Sequence, residues 1–182
     1  MKFFKLAAVV LLVFNIATFR VHAVESVHAH KYNTNRLLCD STKTTIFSAF
    51  EYADTAGRKQ TLNSIKGKKA TLVVFWASWC FPCRKEIPAL KELYSKYKDK
   101  GLSIVSISVD EKVSAWKKAV SQEKMPWVNL ADPGKAAGIS TKYNLSGVPA
   151  MFLLDADNNI LLTDPDLAAA EASINQQVNA NK

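Results

Sequence analysis

Two cysteines separated by two residues, Cys80 and Cys83, are the feature of this chain best suited to chemistry. At that spacing their sulfurs lie one helical turn apart, so they can close and open a disulfide with little backbone movement. Such a pair carries two electrons: one thiolate attacks a partner disulfide, and the other resolves the mixed disulfide that forms. The segment Trp76-Ala77-Ser78-Trp79-Cys80-Phe81-Pro82-Cys83 follows an apolar run and precedes a helical pattern. At that junction the unpaired N–H groups and positive dipole end of the helix favour a thiolate on Cys80. Cys83, one turn further in, is expected to be the more buried of the two. Pro82 falls in the first helical turn, where its missing donor costs nothing.

Three other readings of the pair compete. A purely structural disulfide would close a four-residue loop and so stabilise little. A zinc site needs two further ligands, and only Cys39, His22, His28 and His30 are available, without a second close pair. A coincidental pair fits poorly with the strand-to-helix position. Dithiol redox chemistry is the expectation, with no metal and no cofactor.

The elements around the pair alternate. Ile46, Phe47, Phe50 and Tyr52 suggest a strand, Ala56-Gly57-Arg58 a turn, and 59–62 a second strand. Residues 70–76 are a continuous apolar run, as in a strand buried on both faces. Residues 81–100 show helical spacing (Ile87, Leu90, Leu93, Tyr94, Tyr97) ended by Gly101, with Pro88 expected to kink it. A strand at 102–109, a helix at 112–122, a short strand at 127–130 and a short helix at 134–143 follow. Residues 150–154 and 160–163 flank the turn cluster 155–159, and a last alanine-rich helix runs over 167–178. This order predicts an α/β layer structure with a parallel centre and an antiparallel edge. Asp110 falls at a strand's C-terminal end, where sites in such sheets gather, or it starts the next helix.

The 182 residues suffice for one domain with a hydrophobic core. Residues 1–5 carry Lys2 and Lys5, residues 6–17 are almost wholly apolar, and Val21-His22-Ala23 offers small residues at a cleavage site. Residues 1–23 therefore read as a secretory signal peptide. An uncleaved anchor is the alternative, although the run is shorter than the roughly 20 residues of a spanning helix. Cleavage removes Lys2, Lys5 and Arg20 and lowers the net charge from +8 to +5. Scattered lysines without an arginine stripe exclude a nucleic-acid grip. Residues 24–43 are polar and aperiodic, a flexible lead-in that holds His28, His30 and the leftover thiol Cys39.

The stretch from Phe75 to Pro88, with Trp79-Cys80-Phe81-Pro82-Cys83 at its centre, resembles the active-site segment of the thioredoxin superfamily. It is most similar to the exported TlpA/ResA-like branch of the redoxin (AhpC/TSA-related) group. The likeness runs through Gly57, Leu62 and Gly67-Lys68, then Val105 to Asp110 and Gly147-Val148-Pro149, and so covers a thioredoxin-like domain at 44–182. It implies a thioredoxin fold: a central mixed sheet with helices on both faces and an added N-terminal β-hairpin. It also implies that Pro149 is a cis-proline facing the cysteines, and that Val148 offers backbone hydrogen bonds to a partner. Glu86 matches a carboxylate that tunes the thiols, or is an ordinary solvated glutamate in a first helical turn. Trp79 resembles the tryptophan flanking the site, and Trp76 a core residue. One departure stands out: cytosolic thioredoxins carry a buried Asp where this chain has Val74.

The resemblance implies an exported, periplasmic or extracytoplasmic thiol–disulfide oxidoreductase that reduces protein disulfides. Its partners would be disulfide-containing proteins, such as those of cytochrome c maturation, and a membrane thiol electron donor. Contact with a membrane would come only through an N-terminal anchor. Phe81-Pro82 lacks the histidine of strongly oxidising relatives, which favours a reductant. A redox-inert or metal-handling binding module and a thiol peroxidase are the alternatives.

Overall fold

A computed structural model describes residues 45–132, 139–143 and 145–180. The expected signal peptide, the lead-in, Cys39, His28 and His30 lie outside these. No helix among the described residues is long and apolar enough to cross a membrane.

Seven strands form one mixed sheet: β1 Glu51–Asp54, β2 Lys59–Thr61, β3 Ala70–Trp76, β4 Leu102–Ser108, β5 Val128–Ala131, β6 Ala150–Asp155 and β7 Ile160–Thr163. Their order is β2-β1-β5-β4-β3-β6-β7. Strands β3, β4 and β5 are parallel; the hairpins β1–β2 and β6–β7 add antiparallel flanks. The helices are α1 Leu62–Ile65, α2 Phe81–Tyr97, α3 Val113–Glu123, α4 Ile139–Lys142 and α5 Leu167–Asn179, with a 3₁₀ turn at Lys98–Lys100.

Strand periodicity divides the core in two. Leu72, Val74 and Trp76 of β3 and Ile104 of β4 face α2, α3 and α5, meeting Ile87, Leu90, Leu93, Trp116, Ala119 and Ile174. Val73, Phe75, Val105 and Ile107 point the other way, against Phe47, Phe50, Leu62 and Phe152. Because β3, β4 and β5 follow one another in one direction, the right-handed connections through α2 and α3 put both helices on the same face. Among the described residues the second face is closed by short elements. There Phe47 stacks on Tyr143, with ring centroids 4.6 Å apart. Each fully buried Leu, Ile or Phe contributes about 1.5–3 kcal/mol relative to exposure, so both faces hold the sheet.

The expected elements recur with small offsets, and one differs in kind. The apolar residues Phe47 and Phe50 lie before β1, which starts at Glu51. They are buried as packing residues of the second face, and only an isolated bridge joins Ile46 to Asn159. Burial without a ladder gave the same apolar signal as a strand. Helix α2 runs unbroken through the exposed Pro88 to Tyr97, and Gly101 ends the turn after it with φ +105°, a conformation only glycine adopts freely. Of the helix expected at 134–143, α4 occupies 139–142.

Candidate functional site

Strand β3 ends at Trp76 beside Ser108, the last residue of β4. One further backbone bond, Val109 N–H to Trp76 O at 2.9 Å, closes the ladder there. The chain then turns through Ala77, Ser78 and Trp79, held by Cys80 N–H donating to Ala77 O at 3.1 Å. Cys80 is the N-cap of α2, and its Sγ accepts from Cys83 N–H at 3.2 Å. The reactive atom therefore takes the place a serine or aspartate side chain occupies at other helix starts. Pro82, in the first turn, gives up no bond.

Cys80 and Cys83 are joined in a disulfide, with Cα atoms 5.3 Å apart. Both are almost fully buried, Cys80 at 4 % and Cys83 at 3 % exposure. The expected contrast in burial is thus slight, because the two sulfurs are bonded to each other within the same core cluster. Access is marked instead by their neighbours: Trp79 and Phe81 are 68 % and 67 % exposed. Lys85 Nζ stands 4.6 Å from the centre of the Phe81 ring.

The turn that leads into β6 closes the far side. The Val148–Pro149 peptide is cis, and Val148 O lies 3.5 Å from Cys80 Sγ. Val148 and Pro149 are half-buried, within reach of an incoming chain. Trp76 is core, buried on the same face as the cysteines. Val74 faces that side as well.

Glu86 lies one turn beyond Cys83 and is half-buried. Its Oε2 is buried without a hydrogen-bond partner. Burial, reinforced by the negative charge of Asp164, pushes its carboxyl above the usual carboxylate range. Next to it in sequence, Arg84 binds Glu123 Oε1 through Nε at 2.6 Å, and Lys91 donates to the Glu123 carbonyl, tying α2 to the end of α3.

Asp110 does not start the next helix. Lys112 is the N-cap of α3 and makes no side-chain cap bond. The Asp110 carboxylate turns back to Ser78 in the cysteine loop instead, a contact that sequence spacing gave no sign of. Among the described residues no group of three or more His, Cys, Asp or Glu side chains is placed to hold a metal ion.

Residues 44–162 match the family model described as the AhpC/TSA family. Over 112 residues the chain is 37 % identical to the thiol-disulfide oxidoreductase ResA of Bacillus thuringiensis (strain Al Hakam), covering 62 % of this chain and 63 % of that one. It thus spans less than two thirds of that relative's length. The crystal structure of the thioredoxin domain of a thiol-disulfide oxidoreductase from Bacteroides vulgatus is 30 % identical, with a TM-score of 0.69, covering 76 % of this chain and 100 % of that domain. The solution structure of a thiol:disulfide interchange protein from a Bacteroides species is also 30 % identical with a TM-score of 0.69, covering 77 % and 92 %.

Proposed function

The chain belongs to the AhpC/TSA family, within its thioredoxin-fold, TlpA/ResA-like branch, and from that premise we propose that it is an exported thiol–disulfide oxidoreductase that reduces protein disulfides. The observation that carries this reading is Cys80 Sγ serving as the N-cap acceptor of α2 while bonded to Cys83. A sulfur so placed is stabilised as a thiolate by the Cys83 N–H and the helix dipole, and its resolving partner sits one turn away.

In the reduced protein the Cys80 thiolate attacks one sulfur of a partner disulfide. A Cys80–partner disulfide forms and the other partner sulfur leaves as a thiolate, taking a proton from solvent. Cys83 then gives up its proton and attacks Cys80 Sγ. The mixed disulfide breaks, the partner departs with two thiols, and two electrons have passed to it as Cys80–Cys83 closes. With Val74 unable to take a proton, Glu86 is the proposed acceptor for the Cys83 proton, directly or through a water. A carboxyl held above its usual range trades protons with a thiol more readily than an ordinary glutamate.

Trp79, Phe81 and the backbone of Val148 form the face a partner polypeptide meets, with the turn at Pro149 setting that backbone's angle. A membrane thiol carrier is the proposed source of electrons. Periplasmic or extracytoplasmic residence is proposed on the signal-peptide pattern of residues 1–23, and disulfides of cytochrome c maturation are the proposed substrates.

The test is reduction of an insulin disulfide by the reduced protein, with Cys80→Ser beside it. Loss of activity in the variant supports the reading, and retained activity refutes it. Equilibration against thiol buffers then fixes the direction. A potential near or below about −230 mV marks a reductant, and one between about −120 and −180 mV an oxidant or isomerase.

A further inference from the structure

Beyond Trp76 and Ser108 the parallel backbone ladder stops, yet the two chains stay tied. Asp110 Oδ2 accepts from Ser78 N–H at 2.8 Å and Oδ1 accepts from the Ser78 hydroxyl at 2.6 Å. Asp110 Oδ2 also accepts from the Ser108 hydroxyl at 2.7 Å, and Ser108 Oγ accepts from Asp110 N–H at 3.0 Å. The carboxylate is 5 % exposed, and among the described residues its three donors are neutral. Burying a charge on neutral donors alone is costly unless the hydrogen bonds are short and well made, as these are. A neutral side chain would close a loop at less cost. The acid differs in gripping one residue, Ser78, through both its backbone and its hydroxyl.

From that grip an unbroken path leads to the sulfur. Ser78 is fixed by Asp110, the adjoining Ala77 carbonyl accepts from Cys80 N–H, and Cys80 Sγ accepts from Cys83 N–H. We infer that Asp110 is a positioning residue for Cys80: through Ser78 it holds the 77–80 turn so that the sulfur stays on the α2 N-terminus and against the Val148 carbonyl when the disulfide opens. This rests on the dithiol reading above and assigns Asp110 no contact with the partner. A loop released from Asp110 lets Cys80 drift from the N–H that stabilises its thiolate, so both its acidity and its aim suffer.

The experiment follows Cys80 by iodoacetamide alkylation of the reduced full chain across pH, read by mass on the peptide at Cys80 so that Cys83 and Cys39 are counted apart, in the wild type, Asp110→Asn, Ser78→Ala and Asp54→Asn. Positioning predicts that Asp110→Asn reacts on the order of tenfold more slowly at neutral pH, with its midpoint at higher pH. Ser78→Ala, which loses only the hydroxyl bond and changes no charge, moves the same way by less. Asp54→Asn, which loosens another buried carboxylate, leaves the curve in place. A purely electrostatic role gives the opposite sign, since removing a negative charge near the loop favours the thiolate and lowers the midpoint. That outcome overturns the inference, as does an Asp110→Asn curve identical to that of the wild type. If Asp110→Asn does not fold, Ser78→Ala decides: an unmoved midpoint overturns the inference. Alkylation needs no turnover, so failure of the latch and failure of the oxidoreductase reading are told apart by the insulin assay.

Discussion

Two buried aspartates do similar work at two places with different consequences. Asp54, at the end of β1, accepts from Ala56 N–H, Arg58 N–H, Arg58 Nε and Gln60 Nε2 at 2.8–3.2 Å. All its donors lie within six residues, and one is a guanidinium. Asp110 reaches Ser78 across 32 residues and uses neutral donors. The first latch folds a hairpin onto the flank of the sheet, two strands from β4; the second fixes the loop that carries the reactive sulfur. A carboxylate satisfied locally by a cation serves folding. One that reaches across the fold to a neutral residue ties that residue's neighbours to a fixed frame.

The sharpest break between the two regions comes from Cys83→Ala. It should abolish turnover while leaving the first attack intact, so that a Cys80 mixed disulfide accumulates and is seen by mass under non-reducing conditions. No change at the Asp54 hairpin should reproduce this. Next in size, Asp54→Ala should cost about 2 kcal/mol in urea unfolding, the toll of orphaned donors around a buried site, with insulin reduction unchanged once the protein is folded. This loss depends on pH with a defined sign. Burial pushes the Asp54 carboxyl up, but the hydrogen bonds from Arg58, Gln60 and Ala56 outweigh it and the carboxyl sits below its usual value. Its contribution is therefore complete at neutral pH and fades as the pH falls through that lowered value. Unfolding curves of wild type and variant should converge in acid.

Trp79→Ala should change stability by less than about 0.5 kcal/mol, because the ring is exposed. It should raise KM for insulin roughly tenfold by removing an apolar anchor beside the sulfur, a split that separates partner contact from positioning. Smallest is Glu86→Gln. A carboxyl raised in the folded state destabilises the fold as pH rises from its unfolded value through its folded one. The amide should then gain on the order of a few tenths of a kcal/mol at neutral pH, after solvent screening, and nothing in acid. Urea titrations at the two pH values check it.

The two latches also explain what sequence reading reached. The Ala56-Gly57-Arg58 turn was legible because its bonds are local. So was the Cys80–Cys83 pair, whose chemistry follows from spacing and from the strand-to-helix junction. The cis bond at Pro149 followed only from resemblance, since nothing in Gly147-Val148-Pro149 distinguishes it from an ordinary turn. The approach of the Val148 carbonyl to Cys80 and the tie from Asp110 to Ser78 were invisible, because each depends on strand order. Phe47 and Phe50 misled for a related reason: hydrophobicity reports burial, and burial on the second face needs no ladder.

The margins of the sheet have a bearing on the work proposed for it. On one side the outermost strand, β2, is three residues long, and its Lys59 is engaged with Glu51 at 2.7 Å. On the other, Ile160 N–H, at the start of β7, already donates to Thr45 O, and Phe47 N–H donates to Asn158 O. A protein that grips extended, half-folded clients invites them to stack onto its free borders and seed aggregates. With one border too short to template a strand and the other partly occupied by its own chain, this sheet offers little free edge for such stacking.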